Sequence, residues 1–80
     1  MITESVEYIK GALPDLSVNY ECGAFDMIRI TKGDLMHWAA IVDAQDHFAV
    51  ITRTLDGETS KEAGTIDEAI KLVRDHFTPE

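Results

Sequence analysis

Between Leu16 and Leu55 the side chains alternate with a period of two, and turn-forming residues interrupt the alternation at short intervals. Leu16, Val18, Tyr20 and Cys22 alternate with Ser17, Asn19 and Glu21, the pattern of a strand with one buried face. Gly23-Ala24 suits a tight turn, and Phe25 to Thr31 reads as a second strand. Lys32-Gly33 turns the chain into a third strand, Leu35 to Asp43, and Ala44-Gln45-Asp46 into a fourth, His47 to Leu55, rich in β-branched residues. Asp56-Gly57 is a strong hairpin signal, and Glu58 to Lys61 is short and polar enough for an edge strand. Links this short leave room only for antiparallel neighbours.

The period changes to that of a helix on either side. Ile2, Val6, Ile9 and Leu13 fall on one stripe, with Thr3 as a cap and Pro14 as a stop. Thr65-Ile66-Asp67-Glu68 reads as a capping box, followed by the stripe Ile66, Ala69, Ile70, Val73 and Phe77, with Pro79 just beyond. The expected fold class is α+β: a four- to five-stranded antiparallel meander with an N-terminal and a C-terminal helix packed on one face. At 80 residues without repeat, linker or low-complexity tract, residues 1–80 read as a single domain.

Fifteen acidic residues oppose seven basic ones, a formal charge of −8. The bases are scattered, so direct binding to nucleic acid or to an anionic membrane is not expected. The longest wholly apolar run, Trp38 to Val42, is far short of a membrane span. One cysteine, Cys22, cannot form an internal disulfide, and the residues after Met1 do not read as a secretory leader. A cytoplasmic setting is the expectation.

Two-residue loops at Gly23-Ala24 and Lys32-Gly33 pair Tyr20 with Met27 and Met27 with Trp38. That register puts Leu16, Val18, Tyr20, Cys22, Phe25, Met27, Met36, Trp38, Ala40 and Val42 on one face, the one the helices should cover. A three-residue loop at Ala44–Asp46 adds Phe48 and Val50 to it. The other face carries Ile28, Ile30, Leu35, Ala39, Ile41, Ala49 and Ile51, with charged residues around them. An apolar centre inside a charged rim is the pattern of an interaction surface. The expected interaction face is therefore Ile28, Ile30, Leu35, His37, Ala39, Ile41, Ile51 and Arg53. A slip of one residue in any loop would transfer a whole strand to the other side.

No catalytic spacing stands out. In the same register Asp43 faces His47 and His37 faces Arg53, a set that could in principle serve phosphoryl transfer or RNA cleavage, although an ordinary cross-strand ion pair at a loop and a surface histidine beside an arginine are the better reading of it. Cys22 reads as a buried small hydrophobe. Cys22, His37 and His47 lack metal-ligand spacing, and no glycine-rich loop cradles phosphate. His76 sits near the negative end of the last helix, a structural place for an imidazole. No cofactor and no metal are expected.

The reading that follows is a small acidic, non-enzymatic protein-interaction domain. Its acids recur at turns and polar positions and could imitate phosphate spacing, which points to an inhibitor of a basic, nucleic-acid-handling protein, the device of small phage and mobile-element inhibitors. No motif ties the chain to one of them. The alternatives are a homo-oligomeric structural subunit, such as a homodimer covering the apolar face through a two-fold axis, or a small nuclease-like enzyme using His37, His47, Asp43 and Arg53.

Overall fold

A computed structural model describes residues 2–23, 25–33 and 37–78, with side chains of the first turn described from Glu4 onward. A single 3-10 turn, Ile2–Ser5, leads into helix α1, Val6–Ala12. Five strands follow: β1 Ser17–Cys22, β2 Asp26–Thr31, β3 Trp38–Asp43, β4 Phe48–Thr54 and β5 Gly57–Ala63. Helix α2 spans Ile66–Phe77. The strands form one sheet in chain order, every neighbour antiparallel. The α+β meander with a helix at each end is thus the architecture of the chain.

Local chemistry accounts for the helices. In α2 the Thr65 hydroxyl accepts from the Glu68 N–H at 3.1 Å, and the Glu68 carboxylate accepts from the Gly64 N–H at 3.1 Å. This is the capping box, with its return bond displaced by one residue. Ala69, Ile70 and Val73 are buried, and Ile66 and Phe77 pack against the same cluster. In α1 the buried Ile9 leads the stripe, and the Leu13 N–H closes the helix on the Ile9 carbonyl at 2.9 Å before Pro14. Ser5 precedes α1 without a side-chain cap bond. The Thr3 cap, the Ile2 side chain and the Pro79 stop lie outside what is described.

Both helices cover the same face. Ile9 and Leu13 share one buried cluster with Val18, Ile28, Ile30, Ala39, Ile41, Val50, Ala63, Ala69, Ile70 and Val73. The Tyr8 hydroxyl donates to the Asp67 carboxylate, and Arg74 donates to the Ala12 carbonyl at 3.2 Å. The two helices therefore run in the same direction, their N-termini at one end of the sheet.

The register corrects the expected faces. Cys22 pairs with Asp26, so the first turn encloses residues 23–25, three rather than two. Thr31 pairs with Trp38, which leaves six residues in the second connection, and Asp43 pairs with Phe48, which leaves four in the third. A change from even to odd in the first loop turns β2 over, and β3 with it. The third loop changes from odd to even and restores β4. As a result Ile28, Ile30, Ala39 and Ile41, expected on the interaction face, are each 0% exposed beneath the helices. Met27, Trp38, Ala40 and Val42, expected in the core, lie on the opposite side. Phe25 sits in the first turn, and it is exposed like Tyr20 and Cys22, because β1 is an edge strand. Leu35 and Met36 lie outside the described residues.

Candidate functional site: the open sheet face and its acidic end

The face away from the helices is ordered in rows of cross-strand neighbours. One row runs Glu21, Met27, Val42, Ala49, Glu62 from β1 to β5. The next runs Asn19, Arg29, Ala40, Ile51, Ser60, and the third Ser17, Thr31, Trp38, Arg53, Glu58. The three inner strands thus supply Met27, Val42, Ala49, Ala40, Ile51 and Trp38, and the two edge strands supply carboxylates and small polar groups.

Two arginines lie across this surface. The Arg29 guanidinium stands 5.3 Å from the centre of the Trp38 ring, within cation–π range, and its Nε is 2.9 Å from Glu21 Oε2. Arg53, opposite Trp38, reaches Glu58 Oε1 at 3.0 Å. Long side chains laid flat shield what is below them. Ala40 is buried here, and Trp38, Met27, Val42 and Ile51 are half-buried, with no second layer of secondary structure among the described residues on this side.

One end of the sheet is acidic. The turns at 23–25 and 44–47 and the link from β5 to α2 meet there, with Glu21, Asp26, Asp43, Asp46, Glu62, Asp67 and Glu68 in or beside them. No lysine or arginine lies in these segments. Asp67 and Glu68 sit in the first turn of α2, where the helix dipole favours negative charge. Asp43 accepts the Gln45 N–H at 2.9 Å and holds that turn, in which Gln45 adopts φ 77°. His47 Nδ1 lies 2.7 Å from Asp46 Oδ1, and this hydrogen bond holds the Asp46 carboxyl below its ordinary range. Tyr20 donates to Asp26 at 2.8 Å, which pushes the phenol up to about 12. Phe25 projects beside this end, 67% exposed, over a shallow depression of about 270 Å³ lined by Glu21, Cys22, Gly23, Phe25, Met27 and Arg29.

Of the eight residues expected to form the interaction face, only Ile51 and Arg53 lie on this open side. Ile28, Ile30, Ala39 and Ile41 are core, and Leu35 is outside the described residues. His37 is half-buried in the connection before β3, near enough to His76 to oppose its protonation. The Asp43, His47, His37 and Arg53 set is not assembled. Asp43 pairs with Phe48 and Arg53 with Trp38, which puts the two halves at opposite ends of β3, roughly 17 Å apart for a strand of this length. Among the described residues no group of three or more His, Cys, Asp or Glu is placed to hold a metal ion. No helix among them is long and apolar enough to cross a membrane.

Sequence reasoning missed Phe25, Met27, Trp38 and Val42 as surface residues. One signal could have found them. A face that takes Met27 must also take Arg29 and Thr31 on the same strand, and arginine is seldom placed in a core. Asp26, Ile28 and Ile30 are the alternative set, with two isoleucines adjacent in the middle of the sheet.

Comparison with protein-family models, with curated proteins and with solved structures finds no match for this chain. Its function has to be argued from the surface itself.

Proposed function

We propose that this chain is a non-enzymatic interaction domain that binds a basic protein through the open sheet face and the acidic end beside it. The observation that carries this reading is the row Met27, Val42, Ala49, which no helix among the described residues covers, with Glu21 and Glu62 at its two ends and the turn carrying Asp46 beside it. Phe25 stands beside it as an exposed aromatic anchor, a residue type enriched at protein interfaces. An apolar centre with an acidic surround fits a partner that presents an apolar residue among lysines and arginines.

The same charges argue against a second copy as the occupant. Stacking two open faces about a two-fold axis would bring acidic rims together in a chain of net charge −8. The narrower form of the reading is an inhibitor acting in the cytoplasm. By covering the basic groove of a nucleic-acid-handling protein, the domain would exclude the nucleic acid without binding it.

The test uses variants that leave the core intact. Proteins retained from host extract by the wild type are compared with those retained by Phe25→Ala and by Val42→Lys, and each retained protein is purified and titrated. The expected partner is basic, binds at least tenfold more weakly to either variant, and weakens further as salt rises. Retention that is indifferent to both substitutions overturns the reading. So does concentration-dependent dimerisation of the isolated chain that Val42→Lys abolishes.

A further inference from the structure

The outer edge of β5 offers a second surface that does not depend on the open face. β5 is seven residues long, pairs among the described residues only with β4, and is exposed from Gly57 to Glu62. Its pairing with β4 is continuous from Phe48↔Ala63 to Thr54↔Gly57, so no bulge twists the edge away. An edge of this kind presents a row of backbone N–H and C=O groups to an incoming strand. Beside it, on the helix side, lies a groove of about 300 Å³ between α2 and β4–β5. Gly57, Thr59 and, at one end, Lys61 form its outer wall, and Leu72, Asp75 and His76 its inner one. Because Gly57 has no side chain and Thr59 a small one, the groove opens toward the sheet edge at that end.

We infer that β5 accepts an extended segment of a partner protein as a sixth strand, and that the segment carries two basic residues four positions apart with an acidic residue next to one of them. Cross-strand neighbours stabilise one another when their charges are opposite and destabilise when they are alike. Glu58 and Glu62 point to the open side and Lys61 to the groove side. An antiparallel segment that meets them with Lys or Arg opposite Glu62 and Glu58, and Asp or Glu opposite Lys61, satisfies all three. A β-branched residue opposite Thr59 would lean into the groove.

The same pattern rejects the chain's own copy. Outward-pointing backbone groups alternate along an edge, so a two-fold antiparallel pairing must be centred on a residue. Centred on Ser60, it sets Glu58 against Glu62 twice. Centred on Thr59, it sets Glu62 against Asp56 twice, and centred on Lys61 it sets the two lysines against each other. Like-charge placement of this kind is how edge strands avoid pairing with themselves while remaining open to a complementary strand.

The experiment is a nuclear magnetic resonance titration of the ¹⁵N-labelled chain with three synthetic peptides of the same length. The first carries Lys-Glu-Thr-Val-Lys, matched in antiparallel order to residues 62 back to 58. The second scrambles that composition, and the third reverses its charges. The matched peptide is expected to shift the amides of 57–63 and to bind at least tenfold more tightly than the scrambled one. In the double variant Glu62→Lys, Glu58→Lys the preference should pass to the charge-reversed peptide. Equal binding of matched and scrambled peptides, or shifts confined to the acidic turns at 23–25 and 44–47, overturns strand addition. So does self-association through β5 in sedimentation. Phe25→Ala and Val42→Lys leave the matched peptide's affinity unchanged, so failure here and failure of the open-face reading are told apart.

Discussion

Both faces of this sheet carry apolar side chains and keep them from water in different ways. On the covered face Ile28, Ile30, Ala39 and Ile41 are sealed by side chains from α1 and α2, and their neighbours are aliphatic on every side. On the open face Trp38 and Ala40 are shielded by two arginines, each held down by a glutamate from an edge strand. The first arrangement excludes water and builds the core. The second can be lifted off, because exposed ion pairs contribute little to stability and cost little to break. A surface whose apolar centre is screened by movable charged side chains can stay dissolved when alone and expose that centre to a partner. Position in the fold, rather than hydrophobicity, decides which of the two a given isoleucine serves.

The largest expected effect breaks the comparison if it fails. Ile41→Ala should cost about 3–4 kcal/mol, since its side chain is fully enclosed and the cavity cannot collapse. Ile51→Ala, the same change one strand away on the open face, should cost about 1 kcal/mol, in proportion to the partial burial it gives up. Urea unfolding of both variants checks this. Equal losses would mean that the open face is as much core as the other.

Next comes Trp38. A buried tryptophan replaced by alanine costs about 3–5 kcal/mol, and a half-buried one screened by an arginine should lose about 2 kcal/mol. The variant should remain folded, with its ellipticity intact below the transition. Loss of the fold would assign Trp38 to the core after all. A smaller effect sharpens the same point. In a double-mutant cycle of Trp38→Ala with Arg29→Ala, the coupling should be about 0.5–1 kcal/mol, the range of a cation–π pair near the surface. It should change little between low and high salt if stacking dominates, and vanish at high salt if the arginine is held only by Glu21.

Most of this architecture could be read from the chain, and its failure has one cause. The α2 boundaries follow from Thr65, Glu68 and the apolar stripe, because helix caps and periodicity are local. Strand order follows from short connections. Which side of the sheet a strand presents depends instead on whether each loop holds an odd or an even number of residues, and local chemistry leaves that open. Gly23 invites a two-residue turn, yet Phe25 joins the loop and turns β2 and β3 over. The later change at 44–47 cancels it, so β4 keeps the face expected for it while the strands before it do not. The expected patch vanished with the isoleucines, and Met27, Val42 and Trp38 took its place. The groove beside β5 was not foreseen either, because it depends on where α2 crosses the sheet.

The smallest effect concerns His76, half-buried on the covered side. His76 has its pKa lowered from the ordinary 6.5, chiefly by burial and further by the nearby charge of His37, while the backbone carbonyls of Arg53 and Trp38 pull the other way. The folded state therefore prefers the neutral imidazole. As pH falls through about 6.5, the unfolded chain takes up a proton that the folded chain resists, and folding loses stability from there downward. Asp46, at the other end of the molecule, titrates below its ordinary 3.8 and falls in a separate, more acidic window. Urea midpoints measured between pH 7.5 and 5 should decline in the wild type, and the decline should be shallower in His76→Gln. An unchanged slope would place the histidine in contact with water, and the lower part of the covered face would then be no better sealed than the side left open.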